Sequence, residues 1–226
     1  MTTRGLHLLQ ATAVFLTTAC GTNRPTIPDE LLHDDSGAGG GNYPAGPYAK
    51  SEKDLGLPVK DLTFARGWTD PKGQGYDTKE LAPISIHDFY DPDGTKGYSI
   101  LILNTSAVWC GACKNEHGGT GSTPSLAERI DALGPKGLVI LSALFQDAKY
   151  NPATESNLKT WAEQFETNFP FVLDPEYQLG STYGVPANVA PLNLMVDART
   201  MKLLAGTTGD TLDWTAVEAK LDALAK

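Results

Sequence analysis

Two of the three cysteines of this 226-residue chain lie in one hexapeptide, VWCGAC (Val108–Cys113). Two thiols three residues apart beside a tryptophan can serve as a redox couple, as half of a metal site, or as a structural staple. A thiolate is the nucleophile of thiol–disulfide exchange, and a second thiol one helical turn away can attack the mixed disulfide and release the product. Two intervening residues close a small ring that reopens readily, whereas a staple more usefully joins distant segments. Cys110, Cys113 and His117 recur at i, i+3 and i+7. On a helix that spacing puts all three on one side, so copper or zinc is a candidate ligand. Zinc usually takes four ligands, however, and the sequence has no second cysteine pair. Haem attachment needs C-x-x-C-H, and Lys114 stands in the place of that histidine. His117 by itself reads as a solvated helix residue.

These residues need elements to hold them. YSILILN (98–104) is a short apolar run bounded by turn residues, which suits a buried strand ahead of the cysteines. Cys110 then falls where the following helix begins. There the unpaired N–H groups and the helix dipole favour a thiolate. The glycines of HGGTGSTP (117–124) end that helix after about two turns. STPSLAERIDAL (122–133) reads as a second helix, with Leu126, Ile130 and Leu133 on one face and Ser125 and Glu128 as a capping box. GLVILSALF (137–145) is another buried strand, and Leu158, Trp161, Ala162 and Phe165 mark a further helix. FPFVLD (169–174), LNLMVD (192–197) and MKLLAG (201–206) read as strands, the last two joined as a hairpin. The C-terminal stretch reads as a helix capped by Asp210 or Thr211. Upstream, 59–68 and 84–91 carry short alternating patterns of two weak strands, and DPDGT (91–95) is a turn. Alternation of strands and helices predicts a layered α/β domain.

W-C-x-x-C (109–113) behind a buried strand, with a proline directly before a later strand, resembles the thioredoxin superfamily. In particular it resembles the exported, membrane-tethered thiol–disulfide oxidoreductases of the TlpA/ResA type. The resemblance covers about residues 80–226. It implies a thioredoxin-like α/β fold, a central mixed sheet flanked by helices, with an extra N-terminal β-hairpin from 59–68 and 84–91. It further implies that Cys110 attacks, Cys113 resolves and Trp109 forms a packing wall beside the disulfide. A cis-proline should face the disulfide, and Pro191 after Ala190 is preferred over Pro186 because it directly precedes a strand. Asn104 stands where thioredoxin has a buried aspartate, so Glu116, in the pattern C-x-x-C-x-x-E, is the candidate proton acceptor. Gly111–Ala112 replaces the Gly-Pro of thioredoxin, which suggests an extra N–H donor near the Cys110 sulfur. The resemblance implies no cofactor, and as partners protein thiols or disulfides together with a redox donor or acceptor protein. The alternative reading is a copper-binding carrier of the same fold. Copper chaperones of this fold generally use C-x-x-x-C, which is absent. The peroxiredoxin pattern P-x-x-x-T-x-x-C is also unmet, with Leu103 and Ala107 at its Pro and Thr places.

The ends of the chain suggest where this chemistry is done. Residues 1–19 have one basic residue, Arg4, and an apolar stretch too short to span a bilayer, as in a secretory signal. Small residues lead directly to Cys20, which resembles the lipid-attachment site of bacterial lipoproteins, and lipidation there accounts for the odd cysteine. Residues 20–58, rich in Gly and Pro, read as a flexible linker to a domain over 59–226. The expected location is the periplasmic side of the inner or outer membrane, held there through the lipid. A net charge of −9 with no basic stripe argues against nucleic acid as a partner.

Overall fold

The computed structural model describes residues 42–224. Among these, seven strands form one mixed sheet in the order β2-β1-β5-β4-β3-β6-β7. β3 (Ile100–Ala107) lies at its centre, parallel to β4 (Leu138–Gln146) and antiparallel to β6 (Leu192–Asp197). All eight residues of β3 are buried, the apolar run Ile100–Leu103 and the polar Asn104, Thr105 and Ser106 alike, as in a strand covered on both faces. β5 (Phe171–Leu173) continues the parallel set, and β7 (Leu203–Thr208) closes the other edge as a hairpin with β6. The N-terminal hairpin joins the same sheet: β1 (Thr63–Trp68) pairs with β2 (Ala82–Ser85) on one side and with β5 on the other. The second strand is shorter than its alternating pattern suggests. After Ser85 the chain turns into a 3-10 helix over Ile86–Phe89, which still buries Ile86 and Phe89.

Side chains alternate across the sheet, so β3 supplies two cores. Leu101 and Leu103 join Leu141, Val172 and Leu194 on one face, covered by Phe64, Ile86 and the segment before β1. Ile100 and Ile102 face the other way, against Leu126, Leu133, Val217 and Leu221. These last four come from α2 (Leu126–Leu133) and α5 (Trp214–Leu224). The Ser125–Glu128 capping box is present. The cap of α5 is Asp213, whose carboxylate accepts from Thr215 N and Ala216 N, rather than Asp210 or Thr211. An irregular path through 210–213 moves the start of the helix three residues on, and Asp offers the same acceptor at either place.

Two further stretches differ from the sequence reading. α4 (Gln178–Thr182) has five residues, too few to show a period. It is organised instead by buried Asp174, whose carboxylate accepts from Gln178 N and Leu179 N. The stretch 43–58, expected within the flexible linker, packs on the domain. Tyr43 donates its hydroxyl to Val59 O, Ala49 is buried, and Gly56 and Leu57 exchange backbone hydrogen bonds with Leu203. Tyr43, Ala49 and Leu57 supply the apolar surface that holds this Gly- and Pro-rich stretch down. The expected signal segment 1–19, Cys20 and the linker up to residue 41 lie outside the described residues. Among the described residues no helix is long and apolar enough to cross a membrane.

Candidate active site

The third apolar cluster sits at the carboxyl ends of β3 and β4 and includes both cysteines. β3 ends at Ala107, and α1 (Gly111–Gly118) opens with Cys110 as its N-cap. Cys110 and Cys113 form a disulfide, and the Cys113 N–H donates to Cys110 Sγ at 3.0 Å. That donor is the third N–H of the helix, the usual partner of an N-cap side chain. It belongs to Cys113 and not to Ala112, so the extra donor expected from the missing proline is not the one that reaches the sulfur. Cys113 is fully buried and Cys110 only 3% exposed, so an incoming group meets the Cys110 side of the bridge.

Trp109 forms one wall. Its indole N–H donates to Gln146 Oε1 at 2.9 Å, and its ring stacks on Tyr150 with centroids 5.0 Å apart. Tyr150 itself is 58% exposed and has φ +65°, a strained value for a residue with a side chain. The Asp147 carboxylate enforces that turn by accepting from Lys149 N and Asn151 N. On the other side the Ala190–Pro191 peptide is cis, and Ala190 packs against the cluster that holds the cysteines. Pro191 is locked at the mouth of β6, its carbonyl accepting from Gly209 N while the next N–H donates to Thr105 Oγ1.

The glycines after α1 have a structural reason. Gly119 ends the helix at φ +70°, and a Cβ there would lie 2.8 Å from Thr123 O. This close approach lets Thr120 and Thr123 pair and places Ser125 to start α2.

Beneath the disulfide the core is polar. Asn193, Asn104 and Ser142 stand side by side on β6, β3 and β4. α1 turns Glu116 and His117 onto them. Glu116 accepts from Asn193 Nδ2 at 2.8 Å and from Asn104 Nδ2 at 3.2 Å. Burial raises its pKa to about 7, against the two amide donors and Arg129, which lower it. Asp210 adds to the rise. His117 is a correction to the sequence reading: it is buried, not solvated. Its Nε2 meets Ser106 Oγ at 2.9 Å and Ser142 Oγ at 3.3 Å, and its ring is surrounded by Trp161, Phe165, Phe169 and Phe171. Burial pushes its pKa down to about 3, so the imidazole is neutral at ordinary pH. Among the described residues no cluster of three metal-ligating side chains occurs.

Trp109, Cys110, Cys113, Glu116 and Pro191 are therefore brought to one end of the sheet. Asn193, Ser106, Ser142 and Tyr150 join them unannounced. The first three left a signal, a polar residue inside an apolar strand, which a buried ladder would explain. Tyr150 left none.

No protein-family model matches the chain, and no curated protein matches it. Solved structures do. The thioredoxin domain of a thiol-disulfide oxidoreductase from Bacteroides vulgatus is 17% identical over 74% of this chain and 97% of its own, with a TM-score of 0.52. A DsbF homologue from Corynebacterium diphtheriae is 18% identical over 80% and 98%, TM-score 0.53. A thiol:disulfide interchange protein from Bacteroides sp. is 16% identical over 76% and 92%, TM-score 0.53. These likenesses show that the described domain has the thioredoxin-like fold.

Proposed function

We propose that this protein is a thiol–disulfide oxidoreductase that exchanges the Cys110–Cys113 disulfide with cysteines of other proteins in the cell envelope. The observation that carries this reading is the disulfide itself. It lies at a helix N-terminus, with an N–H already on Cys110 Sγ and a buried carboxyl, Glu116, one turn below Cys113. In the oxidised protein a partner thiolate attacks Cys110 Sγ. The Cys110–Cys113 bond breaks, and Cys113 leaves as a thiolate that takes a proton from Glu116. A second partner thiolate then releases Cys110, so the partner loses two electrons and this protein gains them. In the opposite direction the Cys110 thiolate attacks a partner disulfide, Glu116 accepts the Cys113 proton, and Cys113 resolves the mixed disulfide. The helix N-terminus and the Cys113 N–H favour Cys110 as the ionised thiol. Trp109 and the cis Ala190–Pro191 segment flank the bridge and position the incoming chain.

The secretory-type segment 1–19 and the lipobox-like Cys20 support export and attachment to a membrane by lipid. The test of the exchange is reduction of insulin and refolding of a scrambled disulfide protein by the wild type and by Cys110→Ser. Both activities should be lost in the variant. Activity that survives it, or a wild-type Cys110 thiol alkylated at neutral pH no faster than a free mercaptan, overturns the reading. Incorporation of labelled fatty acid, abolished by Cys20→Ser, tests the anchor.

A further inference from the structure

With Glu116 ionised, the polar cluster beneath Cys113 has one consistent assignment of protons. The Glu116 carboxylate only accepts, so Asn104 and Asn193 both turn their amide N–H groups to it. Asn104 Nδ2 also donates to Asn193 Oδ1 at 2.8 Å, which leaves Asn104 Oδ1 facing the other way. That oxygen accepts from Ser142 Oγ at 2.6 Å and from Ser106 Oγ at 3.0 Å. A hydroxyl has one proton, and both are now used. Each serine therefore meets His117 Nε2 only as an acceptor, and Nε2 must carry the imidazole proton. Nδ1 is then bare. It is buried with no hydrogen-bond partner, among aromatic rings.

The reverse arrangement is penalised. If Asn104 flipped its oxygen towards a protonated Glu116, its N–H groups would face the serines. The serine protons would then point at His117 Nε2, and the imidazole proton would have to sit on Nδ1. That places a donor where no acceptor stands, and an unmet buried donor is costly. The chain from His117 through Ser106 and Ser142 to Asn104 thus runs in one direction and ends in N–H groups on Glu116. The groups acting on Glu116 are Asn104 and Asn193 from the sheet, Arg129 from α2 and Asp210 from the loop before α5, while Cys113 precedes it by one turn and His117 adjoins it on its own helix.

We infer that His117 is a positioning residue: through Ser106, Ser142 and Asn104 it fixes the polarity of the hydrogen-bond chain that aims N–H donors at Glu116 and so favours its ionised, proton-accepting form. This rests on the role proposed for Glu116 in exchange. The first test needs no variant. Nitrogen NMR of the imidazoles in the intact oxidised protein should show His117 as the neutral Nε2–H tautomer throughout pH 5–8, and an Nδ1–H tautomer overturns the inference. The second follows the Glu116 carboxyl carbon through a pH titration. His117→Leu should raise its midpoint by about one pH unit. His117→Gln, whose amide N–H reaches where Nε2–H lay, should stay close to the wild type. The double change Ser106→Ala with Ser142→Ala cuts the chain without touching His117 and should raise the midpoint as His117→Leu does. An unmoved midpoint in the double variant or in folded His117→Leu, or equal movement in Leu and Gln, overturns the inference. None of these readouts requires turnover, so loss of the proposed exchange function, tested with Cys110→Ser and Glu116→Gln, is a separate outcome.

Discussion

Replacing Glu116 by Gln removes the proton acceptor and keeps the side-chain length. With its pKa near 7, the wild-type carboxyl is about half ionised at pH 7 and about 3% ionised at pH 5.5. Resolution by Cys113 should therefore slow about fifteen-fold between those pH values and level off above pH 7.5. In the variant the Cys113 thiol must ionise unaided. A free thiol has a pKa of about 8.5, so about 3% is thiolate at pH 7, and burial of Cys113 lowers that further. Together with the lost general base this gives a drop of about a hundred-fold at pH 7, with the rate still climbing beyond pH 8.5. The assay is stopped-flow release of the thiol chromophore from an aryl disulfide. The reduced protein frees one equivalent as Cys110 is captured, and a second as Cys113 attacks the mixed disulfide. Cys113→Ser should free only the first. A Gln variant that frees the second equivalent at the wild-type rate at pH 7, or two profiles that rise together to pH 8.5, refutes the argument. Stability gives a second reading of the same group. Its folded pKa lies above the unfolded value of 4.5, so the native state binds the proton more tightly. Wild-type stability should fall as pH rises from 4.5 to 7, by up to about 3 kcal/mol, and the Gln variant should lack that slope.

His117 has the opposite linkage. Its folded pKa near 3 lies below the unfolded 6.5, so it costs stability as pH falls through that window, up to about 5 kcal/mol by pH 3. His117→Leu should flatten this acid loss in urea titrations at stepped pH; an unchanged slope counts against a buried neutral imidazole. Tyr150→Asn keeps a residue tolerant of positive φ and removes the exposed ring over Trp109. It should raise KM for a protein substrate about five- to ten-fold and leave a small disulfide's rate unchanged, and equal effects on both would contradict a partner-contact role. Gly119→Ala puts a Cβ against Thr123 O at φ +70°. It should cost about 2 kcal/mol, read as a fall in Tm of about 4–8 °C, and an unchanged Tm would show that the link between α1 and α2 gives way freely.

The reach of the sequence follows the range of the forces involved. β3, β4 and β6 are mostly apolar runs, and their burial on both faces is a property of each strand alone, so they are legible. The Ser125–Glu128 box and the glycine stop of α1 are local as well. α4 has no period of its own and exists because Asp174 gathers two N–H groups, a contact that no window of sequence contains. His117 was misplaced for a related reason. On α1 alone it is a polar residue directly after Glu116; four aromatic residues brought from α3 (Glu155–Gln164) and the chain through β5 make its surroundings. Packing of 43–58 likewise depends on partners far along the chain, chiefly Leu203.

The placement of polarity explains why the site can hold an acid and a base side by side. From Ile100 to Leu103 the faces of β3 carry only isoleucine and leucine, and at Asn104 and Ser106 the strand turns polar on the α1 side. A polar ladder across three strands is destabilising unless its members satisfy one another, and here register does so: Asn193, Asn104 and Ser142 are opposite one another by strand pairing. Strand pairing alone therefore sets the cradle, and α1 needs only to deliver Glu116 and His117 at adjacent positions. Adjacent residues on a helix differ by about 100° in direction, so the two side chains reach opposite ends of the ladder. Glu116 takes the donor end and His117 the acceptor end. Burial then acts on both in the sense that disfavours charge, raising the carboxyl and lowering the imidazole, but amide donors hold only the carboxyl near neutrality. A carboxyl kept close to half-ionised under Cys113 can give or take a proton at little cost, which the two directions of exchange require.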